Sequence, residues 1–144
     1  MLKYLLGLIL FVCACSSQKK AEVTEDNLIL EMHFRDYFTN DRAGLKINGC
    51  RIFDSVTLSS YNALGLTEAR LQINKGKGNR VLINYHDTIL YCKNRSEIFY
   101  FVIDLNGVKH NYQIDPGKGK YIGFDKKDSN DLFLKQSTTR FLYD

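Results

Sequence analysis

The sequence predicts an all-β chain, a small antiparallel β-sandwich of about nine or ten short strands. Three observations predict it. From residue 27 onward apolar and polar residues alternate with a period of two rather than 3.6. Turn signals separate the apolar runs roughly every 8–12 residues. The composition, with nine Tyr, nine Phe and one Pro against ten Gly, suits strands joined by tight turns.

The elements follow in order. Leu28, Leu30, Met32 and Phe34 alternate with Ile29, Glu31, His33 and Arg35, the pattern of a half-buried strand with a polar face turned to water. Leu45 and Ile47 alternate in the same way, and Asn48-Gly49 turns the chain into Cys50 to Asp54. Asn-Gly between apolar runs is the strongest short hairpin signal, because both central residues of the favoured turn need positive φ. Val56 and Leu58 predict a further short strand, followed by an irregular stretch through Tyr61, Gly65 and Thr67. Ala69, Leu71 and Ile73 alternate again. Val81 to Tyr85 and Thr88 to Tyr91 are joined at His86-Asp87. Ile98 to Ile103 is apolar on both faces and predicts a central strand. Asn106-Gly107 makes a second hairpin turn into Val108 to Ile114, and Asp115-Pro116-Gly117 turns once more toward Tyr121 to Phe124. Leu132 to Leu134 and Phe141 to Tyr143 complete the set. A transmembrane barrel would need strands of about 9–11 residues with one uniformly apolar face, which these runs do not supply.

At 144 residues, with 44% apolar and 25% charged side chains, the chain suits one globular domain. The net charge of +4 falls to +3 without Lys3. That is too little for a nucleic-acid partner, which needs a concentrated basic face; it suits weak attraction to anionic lipid or polysaccharide, and equally ordinary solubility.

The first residues set the compartment. Lys3 precedes an uncharged, mostly apolar run from Leu5 to Ala14. Ten residues of helix span about 15 Å, half the hydrocarbon thickness, so the run reads as a secretory leader rather than a membrane span. Val12-Cys13-Ala14-Cys15 then resembles the lipobox of bacterial lipoproteins: an aliphatic residue, a tolerant position, a small residue and the Cys. The resemblance covers only the leader. It implies cleavage after Ala14, a diacylglycerol on the Cys15 thiol and a membrane anchor. Cys13 stands where Ser, Thr, Ala or Leu is more usual, which leaves open which Cys is modified; no small residue precedes Cys13, so Cys15 is the better lipidation candidate. Ser16 after the anchor implies, in the best-understood sorting scheme of this class, passage to the outer membrane, on either its periplasmic or its surface face. On this reading residues 1–14 are the leader, 15–26 a polar tether and 27–144 the β-sandwich domain.

Cys50 and Cys92 remain as an even pair in a compartment that permits disulfides. Two readings stay open: a bridge, or two separate buried thiols behaving as small apolar residues.

Ile73-Asn74-Lys75-Gly76-Lys77-Gly78 and Ile114-Asp115-Pro116-Gly117-Lys118-Gly119 each set Gly-Lys-Gly after an apolar strand residue. Lys75, Lys77, Lys118 and Lys120 mark the two loops as candidate anion-binding loops, weighed against solvated turns. Neither has the spacing of a P-loop. Asp125, Asp128, Asn130 and Asp131 offer oxygens of the kind calcium takes, without EF-hand spacing and with Lys126 and Lys127 among them; Asp36, Asn40 and Asp41 form a second such turn. His33, His86 and His110 show no zinc spacing. No nucleophile elbow is present, so neither a metal, a cofactor nor a catalytic residue is assigned. Tyr61, Tyr85, Tyr91, Tyr100, Tyr112, Tyr121 and Tyr143 could share a face as a platform for sugar or protein, or could pack the sandwich. The expectation is a membrane-anchored, non-enzymatic binding or accessory module of the bacterial envelope with a protein or glycan partner. The alternatives are a glycan-binding module and an inhibitor or immunity-type lipoprotein.

Overall fold

The computed structural model describes residues 25–60 and 65–143. The leader, Cys15, nearly all of the tether and Tyr61 lie outside the described residues. Among the described residues ten strands form two sheets: β1 (Leu28–Phe34), β2 (Asp41–Ile47), β3 (Cys50–Leu58), β4 (Arg70–Lys75), β5 (Arg80–Tyr85), β6 (Thr88–Lys93), β7 (Phe99–Leu105), β8 (Val108–Ile114), β9 (Tyr121–Lys126) and β10 (Leu132–Ser137). Single 3-10 turns at Glu25–Asn27 and Pro116–Lys118 precede β1 and β9. The six-stranded sheet runs β10-β9-β1-β4-β5-β6 and the four-stranded sheet β3-β2-β7-β8. The chain is therefore an all-β sandwich, as the period of two predicts.

The core is the sum of the inward faces. Leu30, Met32 and Phe34 of β1 meet Leu45 and Ile47 of β2, Phe101 and Ile103 of β7, and Ile122 and Phe124 of β9, all buried. Burial of this kind contributes about 25 cal/mol per Å² of apolar surface removed from water, and it is what holds the two sheets face to face. Both Asn-Gly turns are found where the residues demand them. Asn48 and Gly49 have φ of 49° and 76°, and Asn106 and Gly107 have 51° and 86°. Asn and Gly are the residues that tolerate this region.

Three details depart from the sequence reading. Val56 and Leu58 do not form a strand of their own; β3 runs unbroken from Cys50 to Leu58, with an irregular register against β2 that absorbs the extra residues. Gly44 on β2 serves that irregularity, since a Cβ there would sit 2.8 Å from the Asp54 carbonyl oxygen. Phe141 to Tyr143 is not a strand either: it crosses the outer face of the six-stranded sheet. Finally, β1 and β9 pair in parallel, Glu31 opposite Tyr121 and Phe34 opposite Phe124, while the other strand pairs are antiparallel.

The seams at the two sides of the sandwich are closed differently. On one side Cys50 of β3 and Cys92 of β6 form a disulfide, their Cα atoms 5.9 Å apart, joining an edge of each sheet. On the other, the Tyr112 hydroxyl on β8 donates to the Leu132 carbonyl on β10 at 3.0 Å. The ends are tied as well. Asn48 Nδ2 donates to Asn94 Oδ1 at one end, and Asn106 Nδ2 donates to Asp41 and to Asn130 at the other.

Candidate functional site

The densest polar cluster lies on the outward face of β1, where alternation puts Glu31 and His33 opposite the core residues Leu30, Met32 and Phe34. In a half-buried strand this face would meet water. Here Glu31 is 1% exposed and His33 6%, because residues 138–143 run back over it as a strap. Gly123 makes room for the strap. A Cβ at that position would come within 2.6 Å of Arg35 Cδ and 3.3 Å of the Phe141 ring.

Glu31 is the hub. Its Oε1 accepts from His33 Nε2 at 3.0 Å, and its Oε2 accepts from Arg70 at 3.0 Å, Gln72 at 3.1 Å and Arg140 at 3.2 Å. Arg70 and Gln72 arrive because the antiparallel register sets them opposite His33 and Glu31 on β4. Burial alone would raise the Glu31 pKa. The hydrogen bonds from His33, Gln72 and Arg70, with the charge of Arg70, outweigh it and bring the pKa from 4.5 down to about 2. Glu31 is thus a carboxylate at neutral pH and can only accept.

That fixes the next link. With Nε2 turned to Glu31, Nδ1 faces the other way, and the Tyr143 hydroxyl stands 3.0 Å from it. Burial, tempered by nearby Arg35, pushes the Tyr143 pKa up and keeps its proton in place to be donated. The two rings are nearly parallel, 5.6 Å between centroids. Beside them the Arg35 guanidinium sits 4.5 Å from the centroid of the Phe141 ring, with its Nε 3.1 Å from Asp125 Oδ1. Lys135 Nζ reaches the other Asp125 oxygen at 2.8 Å.

A carboxylate–imidazole–phenol line can carry a proton; here each of its polar atoms meets a neighbour, and the strap lies on top. What the arrangement does is hold the strap down. Sequence reasoning read Glu31 and His33 only as the polar side of a strand. The signal that could have found the cluster is the spacing of ionisable residues at 31, 33 and 35 facing 70 and 72, which becomes visible only once the β1–β4 register is known.

Three of the calcium-type residues are committed elsewhere. Asp125 holds Arg35 and Lys135, Asn130 receives Asn106, and Asp41 accepts from Lys126 at 2.7 Å. Burial would raise the Asp41 pKa, but hydrogen bonds from Lys126, Asn106 and the Thr39 amide lower it. His86 sits in the β5–β6 turn at φ 50°, against Tyr85. The described tyrosines do not share one face. Tyr85 and Tyr112 pack against the core, Tyr121 and Tyr143 lie with the strap, and Tyr91 and Tyr100 are exposed on strands of different sheets.

The two Gly-Lys-Gly loops are brought to the same end of the molecule, on either side of the start of β1, and Lys75, Lys77, Lys118 and Lys120 are all exposed. Four of their backbone donors are taken within the loops. Gly76 N–H donates to Arg80 O, Gly117 N–H to the Asp115 carboxylate, Lys118 N–H to Asp115 O and Gly119 N–H to Pro116 O. What the loops turn outward is their lysine side chains.

The fold and this clasped face define a disulfide-bonded β-sandwich with a strapped sheet. Comparison with known protein families, curated proteins and solved structures finds no match to the chain.

Proposed function

We propose that the chain is an exported lipoprotein, anchored to a membrane of the bacterial envelope, in the outer-membrane class, through lipid on Cys15. Its sandwich acts there as a non-enzymatic binding or accessory module. The Val12-Cys13-Ala14-Cys15 run supports the anchor, and the Cys50–Cys92 bridge suits the oxidising compartment to which such a leader delivers a protein.

One observation carries the binding role. Tyr37, in the loop after β1, is 77% exposed and has φ of 70°. Left-handed backbone costs a non-glycine residue about 1–2 kcal/mol, and an exposed ring returns little of that by packing. The loop is nonetheless fixed. Phe38 N–H donates to Ser60 Oγ, Thr39 N–H to Asp41 and Asn40 N–H to Ser59 Oγ. A rigid loop that holds an aromatic ring out into solvent, at the end of the sandwich away from the tether, is suited to partner contact.

Two experiments test the two halves. Cys15→Ser should leave membranes and stop incorporating labelled fatty acid; continued labelling would move the anchor to Cys13. A photoreactive residue at position 37 should crosslink one partner in intact cells. The Tyr37→Ala protein should lose that partner without a change in thermal unfolding. Crosslinking no stronger than from a probe at exposed Lys127 would remove this role from Tyr37.

A further inference from the structure

A net charge of +3 to +4 suits only weak attraction to anionic lipid or polysaccharide, but the topology gathers many of the basic residues at one end. Chain direction fixes which end. The 3-10 turn Glu25–Asn27 leads into β1 there, so this is where the tether arrives. β4 pairs antiparallel with β1, Leu28 opposite Asn74, so the β4–β5 loop with Lys75, Lys77 and Arg80 lies at the same end. Arg80 pairs with Lys93, which brings the start of the β6–β7 loop, Lys93 to Arg95, alongside. β9 runs parallel to β1 with Tyr121 opposite Glu31, so Lys118 and Lys120 fall on the other flank. Across the order β9-β1-β4-β5-β6 these cations form a row spanning four strand spacings, about 19 Å.

The row is firmly set. Gln136 Nε2 donates to the carbonyls of Asp115 and Gly119, pinning the loop that carries Lys118, and Asn94 is held by Asn48. Acids at this end are fewer: Glu97, Asp115, whose carboxylate is occupied by Gly117 N–H, and Glu25 and Asp26 at the mouth of the tether. At the opposite end Asp36, Asp41, Glu68, Asp87, Asp104, Asp128 and Asp131 outnumber the bases around them.

We infer that the tether end of the sandwich docks flat on an anionic lipid surface, with Lys75, Lys77, Lys93, Lys118 and Lys120 against the headgroups. The inference rests on the reading of Cys15 as the anchor, which places this end, and not the Tyr37 end, toward the bilayer. A tether of about a dozen residues lets the domain wander. Electrostatic attraction would instead hold it down in one orientation, acid end outward.

The test uses the full-length chain from a host that lipidates it, reconstituted on vesicles of phosphatidylcholine alone or mixed with phosphatidylglycerol. An amine-acylating reagent reads each lysine by mass spectrometry. Lys75, Lys77, Lys118 and Lys120 should react about fivefold more slowly on the anionic vesicles, Lys109 and Lys127 should be unchanged, and high salt should remove the difference. Equal rates on both vesicles would overturn the docking. Equal rates together with slowing by a soluble anionic polysaccharide would also overturn it and assign the row to a glycan. Flotation with the neutral vesicles reads the anchor by itself. If the chain fails to float there, the anchor reading falls, and docking is read from flotation of the unlipidated chain with the anionic vesicles. Wild type should float, and a protein with all four of these lysines changed to Gln should not; equal flotation of the two would overturn the docking.

Discussion

Glu31 concentrates the residue-scale energetics. Its pKa is lowered in the fold from 4.5 to about 2, so the stabilisation linked to this carboxylate is fully present above pH 4.5 and is lost as the pH falls through 2. A shift of this size corresponds to about 3 kcal/mol. Glu31→Gln keeps an acceptor but leaves Arg70 and Arg140 without their counter-charge, and Arg70 is about half exposed and can turn to water. The expected outcome is a variant less stable by roughly 2–3 kcal/mol at pH 7 and nearly equal to wild type at pH 2, measured by urea unfolding across that range. A constant difference at every pH would mean that the loss comes from packing rather than from the charge. Residues such as Asn48, Gly49, Asn106 and Gly107 were legible in the sequence because their role is local: positive φ is a property of the residue itself. Glu31 was not, because its partner Arg140 is 109 positions away.

At the scale of elements, β1 shows where alternation succeeds and where it stops. The period of two sorted Leu30, Met32 and Phe34 from Glu31 and His33 correctly, since side chains of a strand must alternate. It says which residues share a face and nothing about what covers that face. Phe141 and Tyr143 look like a strand for the same reason, yet they are spent on Arg35 and His33. The strap can be tested one atom at a time. Tyr143→Phe removes the hydroxyl that His33 Nδ1 needs and should cost about 1–2 kcal/mol, while Tyr143→Ala also removes the stacked ring and should cost about 3 kcal/mol. Urea unfolding measures both, and hydrogen exchange at Glu31 and His33 should quicken in the Ala protein before exchange at Phe101 does. Stability unchanged in both variants would show that the strap is not held by this pair.

For the whole molecule, the sandwich depends on closing two open seams, and the means are unequal. One seam has the Cys50–Cys92 bond across a separation of 42 residues, and the other has one phenol hydrogen bond from Tyr112. Constraining a loop of that length stabilises by about 4 kcal/mol in the chain-entropy account, so reduction should lower the melting temperature by on the order of 15 °C. Calorimetry with and without reductant measures it, alkylation confirming two thiols released. An unchanged melting temperature would mean that apolar burial alone holds the β3–β6 seam. The pairing itself was not legible, because a bridge needs a Cα distance that only the finished topology supplies. The sandwich was legible, because strand period and turn residues repeat along nearly the whole chain. The basic row was hidden for the converse reason: its lysines are dispersed in sequence and meet only when alternate loops fall at one end.

The parallel pairing of β1 with β9 also fixes an order of events. Among the described strands β1 comes first in synthesis, yet it sits inside the larger sheet, between β4 and β9. One edge stays open until residue 70 exists, and the other until residue 121 does. Until then Leu28, Leu30, Met32 and Phe34 form a bare apolar row with unpaired amides, the kind of segment that joins neighbouring chains when it waits too long. Contacts so distant in sequence are closed slowly, so β1 can find its place only after most of the chain has been made.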